Sequence, residues 1–360
     1  MAINQLKRLY IEPTNRCNLD CRTCMRHGWE EPLGFMAADL WRKILRELSI
    51  RPQKPEIFFG GFGEPLAHPE IVGMVAQAKK SGCPVELISN GILLDAEMAD
   101  SLSQAGLDRL WVSIDGARPE SYADVRLADH LPVIMANLER MSALSETTRL
   151  GISFVAMKRN LADLPAVLEL AHGLGADRFS LSNIEPYTAA MEGEILYQKS
   201  RFIPLPAGAC LVPRFDADVL SVEVEKKIKK LFPDALESVP LAPGRTGFCP
   251  FWQRCSAALR WDGQLGPCLP LLHAHTVFLD GYSRDWDEFH FGSLAHSSLE
   301  SIWNKPWCRE FRAKLDEFAF APCATCNSCS LPALNGEDCF GNAHPACGGC
   351  LWSQGFIRCP

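Results

Sequence analysis

The chain has 360 residues, of which 47% are hydrophobic and 22% charged, as in an ordinary globular protein. Its net charge of −7 gives no support for nucleic-acid binding. No apolar run reaches the length of a membrane span, and the N-terminus from Met1 to Gln5 has no signal-peptide pattern. We therefore expect a cytoplasmic protein, long enough for two domains, that contacts neither nucleic acid nor membrane.

Six segments with strand character alternate with amphipathic, helix-like stretches between residues 8 and 183. The candidate strands are Arg8–Glu12, Glu56–Phe59, Val85–Ser89, Arg109–Ile114, Gly151–Met157 and Arg178–Ser182. This order implies parallel strands joined by right-handed crossovers. It predicts an α/β fold with an open, partial (β/α)6 TIM-like barrel. A doubly wound sheet is the alternative from the pattern alone.

Three cysteines, Cys17, Cys21 and Cys24, follow the first candidate strand. Three thiolates on so short a loop can converge on one metal centre, but a closed cluster or a structural zinc site needs four ligands. A [4Fe–4S] cube held by three cysteines keeps one iron open for chemistry. Taken alone, the triplet also permits a zinc knuckle completed by a distant ligand, or plain buried thiols.

Polar or glycine-rich residues follow the other candidate strands as well. Glycine leaves room for close backbone approach to a ligand, and the Gly63 and Glu64 carbonyls remain available as acceptors for an amino group. In parallel α/β folds, sites form at the carboxyl ends of strands. The residues at these ends are Gly61, Gly63, Glu64, Ser89, Asn90, Ser113, Asp115, Met157 and Asn183.

The cysteine spacing and these strand ends resemble the radical S-adenosylmethionine (SAM) superfamily. The resemblance implies that Cys17, Cys21 and Cys24 hold a [4Fe–4S] cluster whose fourth iron chelates SAM, and that SAM is cleaved to a 5′-deoxyadenosyl radical. It also implies roles for four other residues. Gly63 and Glu64 would hold the SAM amino group, Ser113 would lie near the ribose, and Arg126 would pair with the carboxylate. The other positions that would face SAM are Gly61, Ser89, Asn90, Asp115, Met157 and Asn183.

Several of these positions have simpler explanations. Ser89 and Asn90 can belong to an Asn-Gly turn, Arg126 can be a surface arginine, and Met157 can be a core residue. Thr23 also departs from the family, which often has an aromatic residue before the last cysteine.

The cysteines of the C-terminal third predict a separate, metal-organised module. Eleven of the sixteen lie between Cys249 and Cys359, and in a reducing compartment thiols bind metal more often than they form disulfides. We expect a barrel over residues 1–190, a linker or substrate-facing insertion over 191–246, and the cysteine-rich module over 247–360. The residues Trp261, Asp262 and Gly263 predict a hairpin turn within that module.

This module resembles the SPASM domain, which binds two auxiliary [4Fe–4S] clusters. The resemblance covers Cys249 to about Cys329. Beyond Cys329 the spacing of the cysteines differs from that of the SPASM domain. We assign Cys249, Cys255 and Cys268, with a fourth ligand from the tail, to the nearer cluster, and Cys323 and Cys326 to the farther one. Cys308 is predicted to be a core thiol, and structural zinc is the alternative metal. The further candidate ligands are Cys329, Cys339, Cys347, Cys350 and Cys359.

The tail after Glu337 is similar to a SPASM subgroup associated with tungsten-cofactor oxidoreductases. The resemblance implies a maturase that abstracts a hydrogen atom from a peptide, protein or cofactor substrate and receives electrons from a reductant such as a ferredoxin or flavodoxin. The alternatives are an enzyme that modifies ribosomally made peptides, a non-catalytic iron–sulfur carrier or scaffold, and a zinc-stabilised binding module. The sequence singles out no catalytic acid, base or radical relay.

Overall fold

The structure is a computed structural model, which describes residues 6–144, 147–200, 214–217, 220–233, 247–326 and 329–360. Its strands are β1 (Arg8–Ile11), β2 (Glu56–Phe59), β3 (Val85–Ser89), β4 (Arg109–Ser113), β5 (Arg149–Ala156), β6 (Arg178–Asn183), β7 (Tyr197–Ser200), β8 (Arg214–Ala217), β9 (Ser256–Leu259), β10 (Gln264–Gly266), β11 (His275–Leu279), β12 (Tyr282–Trp286) and β13 (Gly292–Ser293). Its α-helices are α1 (Ala38–Ser49), α2 (Ile71–Lys80), α3 (Ala96–Gln104), α4 (Pro119–Arg126), α5 (Leu131–Leu144), α6 (Leu164–Gly173), α7 (Ala189–Glu192), α8 (Val222–Leu231), α9 (Pro250–Gln253), α10 (Leu299–Trp303) and α11 (Pro306–Glu317).

The first six strands form the parallel sheet that the sequence predicts. They pair in chain order from β1 to β6, and every neighbouring pair is parallel. At least one helix lies between each pair of consecutive strands, as right-handed crossovers require. This arrangement confirms the partial barrel and brings the carboxyl ends of the six strands to one rim.

The C-terminal third continues this sheet instead of standing apart from it. Strand β9 pairs in parallel with β1, β10 pairs antiparallel with β9, and β13 pairs antiparallel with β10. The result is a nine-stranded sheet. The region that the sequence predicts as a cysteine-rich module thus adds three strands to the barrel sheet. The first barrel strand would otherwise leave an edge of unpaired backbone groups, and β9 covers that edge.

The predicted turn at Trp261, Asp262 and Gly263 joins β9 to β10. Gly263 has a φ of +91° and donates its N–H to the Arg260 carbonyl at 2.9 Å. A positive φ at this point favours glycine, because it has no Cβ.

Two layers of apolar side chains lie on opposite faces of the sheet. On β1, Leu9 and Ile11 pack in the outer layer beneath the helices, whereas Tyr10 points into the barrel interior. The interior layer also contains Trp352 and Ile357 from the C-terminal tail. The tail therefore fills the inside of the barrel.

Two smaller features complete the fold. Strands β7 and β8 form an antiparallel pair within the predicted linker or insertion. Cys308 is fully buried in α11, which confirms it as a core thiol. Among the described residues, no helix is both long and apolar enough to cross a membrane.

Candidate active site

The loop between β1 and a 3-10 helix at Met25–Gly28 brings Cys17, Cys21 and Cys24 together. Burial raises the pKa of the Cys24 thiol to about 11. The Arg26 N–H and charge lower this pKa, and the neighbouring Cys21 and Cys17 raise it. The Cys24 N–H donates to the Cys21 carbonyl at 3.0 Å. The three thiols are thus neighbours on a tightly turned, partly buried loop.

The glycine-rich loop after β2 packs directly against the start of this cysteine loop. A Cβ on Gly63 would lie 2.0 Å from the Thr14 carbonyl oxygen and 2.7 Å from that of Arg16. The Glu64 N–H donates to the same Arg16 carbonyl at 2.7 Å. Gly61 has a φ of +134° and leaves no room for a Cβ beside Glu12. The two loops can touch only because these positions lack side chains.

The Glu64 side chain links the ends of β2 and β3. One carboxylate oxygen accepts the Asn90 N–H at 2.7 Å and the other accepts the Leu66 N–H at 2.9 Å. Burial raises the pKa of this carboxyl group, while those hydrogen bonds and one from Ser89 lower it in part. The Asn90 amide nitrogen lies 3.8 Å from Cys17 Sγ. Glu64, Ser89 and Asn90 therefore connect the third strand end to the cysteine loop.

Arg126 lies between the fourth strand end and the cysteine loop. Its Nη2 is 2.5 Å from Asp115 Oδ2, and its Nη1 is 3.7 Å from Cys21 Sγ. Asp115 also accepts the Val155 N–H at 2.8 Å. Burial alone would lower the pKa of the guanidinium, but the charges of Asp115 and Cys21 raise it. Arg126 is therefore a fixed cation beside a thiol, and not a surface residue.

The remaining predicted SAM-facing residues lie in different surroundings. Ser113 is half-buried at the end of β4. Met157 is fully buried in the interior layer, and its N–H donates to the Asn160 side chain at 2.8 Å. The Asn183 amide donates to the Phe356 carbonyl of the tail at 3.2 Å. Contact of these three residues with SAM stays a prediction.

Cys249, Cys268, Cys347 and Cys350 form a first group of four thiols around one cavity, which we name the proximal quartet. Burial raises the pKa of Cys268 well above its ordinary value, and the other three thiols raise it further. Burial likewise raises the pKa of Cys249 to about 11. The nearer of the two predicted clusters thus has two candidate ligands from the tail, Cys347 and Cys350.

A second group of four thiols, the distal quartet, consists of Cys323, Cys326, Cys329 and Cys339. Burial raises the pKa of Cys323 to about 11, with further contributions from Asp338 and then from the other three thiols. In the part of the chain that the structure describes, no group of three or more Cys, His, Asp or Glu side chains is arranged as a single-ion site. An iron–sulfur cube is larger than one ion and spaces its thiolates further apart.

Two of the predicted ligands, Cys255 and Cys359, do not line the cavity of the proximal quartet. Cys255 precedes β9 with a φ of +53°, and its carbonyl accepts the Lys7 N–H at 2.8 Å. Cys359 lies beside Arg8 and Arg254, and burial raises its pKa to about 11. The role of these two cysteines as cluster ligands therefore stays a prediction.

Two family models match the chain. The one described as the radical SAM superfamily matches residues 11–181, and the one described as an iron–sulfur cluster-binding domain, SPASM, matches residues 249–330. The chain is a radical SAM enzyme. The C-terminal match covers five of the eight quartet cysteines and ends before Cys339, Cys347 and Cys350.

Two curated relatives resemble this radical SAM enzyme over most of its length. A tungsten-containing aldehyde ferredoxin oxidoreductase cofactor-modifying protein of Pyrococcus furiosus is 29% identical over 99% of this chain and 97% of that protein. The PqqA peptide cyclase of Gluconobacter oxydans is 26% identical over 94% of this chain and 89% of that protein.

A solved structure shares the fold. It is native anSMEcpe with bound AdoMet and the Cp18Cys peptide, with a TM-score of 0.58 and 17% identity over 97% of this chain and 95% of that one.

A radical SAM domain uses a [4Fe–4S] cluster and SAM, and the residues present fit both. Three neighbouring thiols supply the cluster ligands that the family uses. Arg126 Nε is buried and has no hydrogen-bond partner among the described residues, so it remains available to a ligand carboxylate. The glycine loop brings backbone groups close to the cysteine loop.

The structure reveals a further polar group that sequence reasoning left unplaced. Glu185, just after β6, accepts hydrogen bonds from the Tyr187 hydroxyl at 2.9 Å and the Trp352 indole N–H at 2.7 Å. Burial raises its pKa to about 7, and both hydrogen bonds lower it in part. Glu185 also lines the cavity of the proximal quartet. The only feature of the sequence that could have indicated Glu185 as a site residue is its position two residues beyond the end of β6.

Proposed function

We propose that this radical SAM enzyme cleaves SAM reductively and abstracts a hydrogen atom from a peptide, protein or cofactor substrate. The supporting observation is the convergence of the glycine loop, Asn90 and Arg126 on the cysteine loop, with Arg126 Nη1 3.7 Å from Cys21 Sγ. When bound, a reduced [4Fe–4S] cluster supplies the electron that splits SAM into methionine and a 5′-deoxyadenosyl radical. A ferredoxin or flavodoxin is the class of protein that would deliver this electron.

The chain's own residues bind and orient these groups. Cys17, Cys21 and Cys24 would hold the cluster. The Gly63 and Glu64 carbonyls would accept the SAM amino group, and Arg126 suits its planar carboxylate because a guanidinium donates in a fork. Glu64, Asn90 and Asp115 are buried at this rim. Exclusion of water there would protect a reactive radical from stray hydrogen donors.

The direct test is formation of 5′-deoxyadenosine by the anaerobically reduced protein supplied with SAM. Changing Cys17, Cys21 and Cys24 together to Ala should abolish this product, because the cluster loses all its protein ligands. Cys83→Ala is the control, since Cys83 is a buried thiol of the outer layer far from the loop in sequence. Product that persists in the triple variant would contradict the proposal.

For the auxiliary centres, we assign one [4Fe–4S] cluster to the proximal quartet and one to the distal quartet. Each quartet supplies the four thiolates that a closed cluster needs. The proximal cluster would share its cavity with Glu185. On oxidation of the substrate, the cluster would accept the electron and Glu185 would accept the proton released with it. Two closed clusters suit a net oxidation of the substrate.

The more specific substrate that we propose is a tungsten-dependent oxidoreductase or its cofactor. Similarity to the Pyrococcus furiosus cofactor-modifying protein over nearly the whole of both chains supports it. The second candidate, a ribosomally made peptide, is supported by similarity to the PqqA peptide cyclase.

The two candidates are separated by adding each substrate class to reduced enzyme with SAM. A tungsten oxidoreductase made in cells without this enzyme should speed 5′-deoxyadenosine formation and gain activity, whereas the same oxidoreductase matured beforehand should do neither. Acceleration by a precursor peptide, with a change in the peptide's mass, would favour the second candidate instead.

A further inference from the structure

A buried ion cluster connects the SPASM part of the chain to both ends of the cysteine loop. The His273 side chain is fully buried, and its Nε2 lies 3.0 and 3.1 Å from the two carboxylate oxygens of Glu12. Its Nδ1 lies 2.5 Å from Glu31 Oε1. Glu12 directly follows β1 ahead of the cysteine loop, and Glu31 comes after that loop. The His273 imidazole thus bridges Glu12 and Glu31, which lie before and after the cysteine loop.

Glu12 also holds the glycine loop. Its Oε2 accepts the Phe62 N–H at 3.1 Å, and its Cβ and Cγ lie 2.9 Å from where a Gly61 Cβ would stand. The Trp29 ring stacks on the His273 ring with centroids 4.1 Å apart, and the Phe62 ring meets it edge-on at 5.6 Å. The position of the glycine loop therefore depends on a carboxylate that His273 fixes.

The charges around His273 favour its protonated form. Burial alone would lower its pKa, but the charges and contacts of Glu12 and Glu31 outweigh burial and raise the pKa to about 9. From the neighbouring elements, Arg260 lies 3.5 Å from Glu31 and 2.7 Å from Glu288. His275 contacts the His273 carbonyl and has its own pKa lowered to about 4 by burial, so it is neutral there. At neutral pH an imidazolium lies between two carboxylates.

We infer that His273 is a positioning residue for SAM, acting through Glu12 on the glycine loop. This rests on the proposed function, in which that loop binds the SAM amino group. Because Glu12 accepts a hydrogen bond from both the imidazolium and the Phe62 N–H, loss of the cation frees the carboxylate to move and releases the loop. SAM affinity then depends on the protonation of a side chain that belongs to the SPASM part of the chain.

The test is the Kd of SAM for the cluster-loaded full-length protein, measured from neutral pH to well above pH 9. His273→Gln should bind SAM about tenfold more weakly at neutral pH, because glutamine removes the positive charge opposite Glu12 and weakens a charge-assisted hydrogen bond. The ratio between variant and wild type should fall towards one as pH rises through about 9, where the wild type loses the same charge. Titration of SAM itself cancels in this ratio.

His68→Gln is the matched control. His68 is also buried, but it contacts the Met36 carbonyl and the Glu70 N–H, and burial lowers its pKa. It is therefore neutral across this range, and its variant should keep the wild-type dependence of SAM affinity on pH.

Glu31→Gln is a second variant in case His273→Gln does not fold. It keeps the imidazole and Glu12 but removes one carboxylate, so the pH at which SAM affinity declines should move down. Wild-type affinity and pH profile in both His273→Gln and Glu31→Gln would overturn the inference while leaving the proposed function intact. A wild-type protein that binds no SAM would overturn both.

Discussion

The backbone of Gly63 lies against the Thr14 and Arg16 carbonyls, at distances that leave no space for a methyl group. This contact fixes the glycine loop on the cysteine loop. The same region of the chain supplies the Glu64 hydrogen bonds to Asn90 and Leu66. At the residue scale, the site thus depends on the lack of a Cβ at Gly63 as much as on the polar side chains around it.

We expect Gly63→Ala to lower the free energy of unfolding by roughly 2 kcal/mol, the usual cost of forcing a methyl group into a well-packed site. It should also weaken SAM binding, because the two loops must separate. Urea denaturation and SAM affinity measure these effects.

Gly173→Ala is the control for this change. Gly173 is an exposed residue of α6 with no atom within 4 Å of its added Cβ. Its variant should therefore be neutral or more stable, since alanine favours helix. Equal stability of Gly63→Ala and wild type would contradict the close contact.

Sequence alone predicted which residues gather at this rim, because residues that follow parallel strands must meet there. It could not predict their partners. The pairing of Arg126 with Asp115 depends on the orientation of α4, and the contact between His273 and Glu12 joins residues far apart in the chain. No local pattern encodes either contact.

At the scale of elements, six strands were predicted close to their observed bounds because each is an apolar run between helical stretches. The predicted hairpin turn implies a strand before it, but neither its bounds nor its partner. The four residues of β9, Ser256–Leu259, show neither alternation nor β-branched side chains. They form a strand because the exposed edge of β1 provides a partner. Tertiary context, not propensity, decides such short strands.

The C-terminal tail is a second element whose position came only from the structure. Trp352, Phe356 and Ile357 enter the barrel interior, and the Asn183 N–H and side chain both donate to the Phe356 carbonyl. The tail thereby carries Cys347 and Cys350 to Cys249 and Cys268. Spacing along the chain could identify these thiols as candidate ligands but not which ones would meet.

On the scale of the whole molecule, the nine-stranded sheet joins the cysteine loop and the SPASM part into one body. We propose that this body holds three iron–sulfur clusters, one open to SAM and two closed by the quartets. These clusters need eleven thiols, and of the thirteen predicted ligands Cys255 and Cys359 are left over.

The most direct measurement is iron, sulfide and zinc per chain after anaerobic preparation of the wild type and of matched variants. The wild type should contain about twelve iron atoms, and the double variant Cys347→Ser with Cys350→Ser should contain about eight. The variant Cys255→Ala with Cys359→Ala should keep about twelve. Loss of iron in that last variant but not in the quartet variant, or about four iron atoms with bound zinc in the wild type, would contradict the assignment of three clusters.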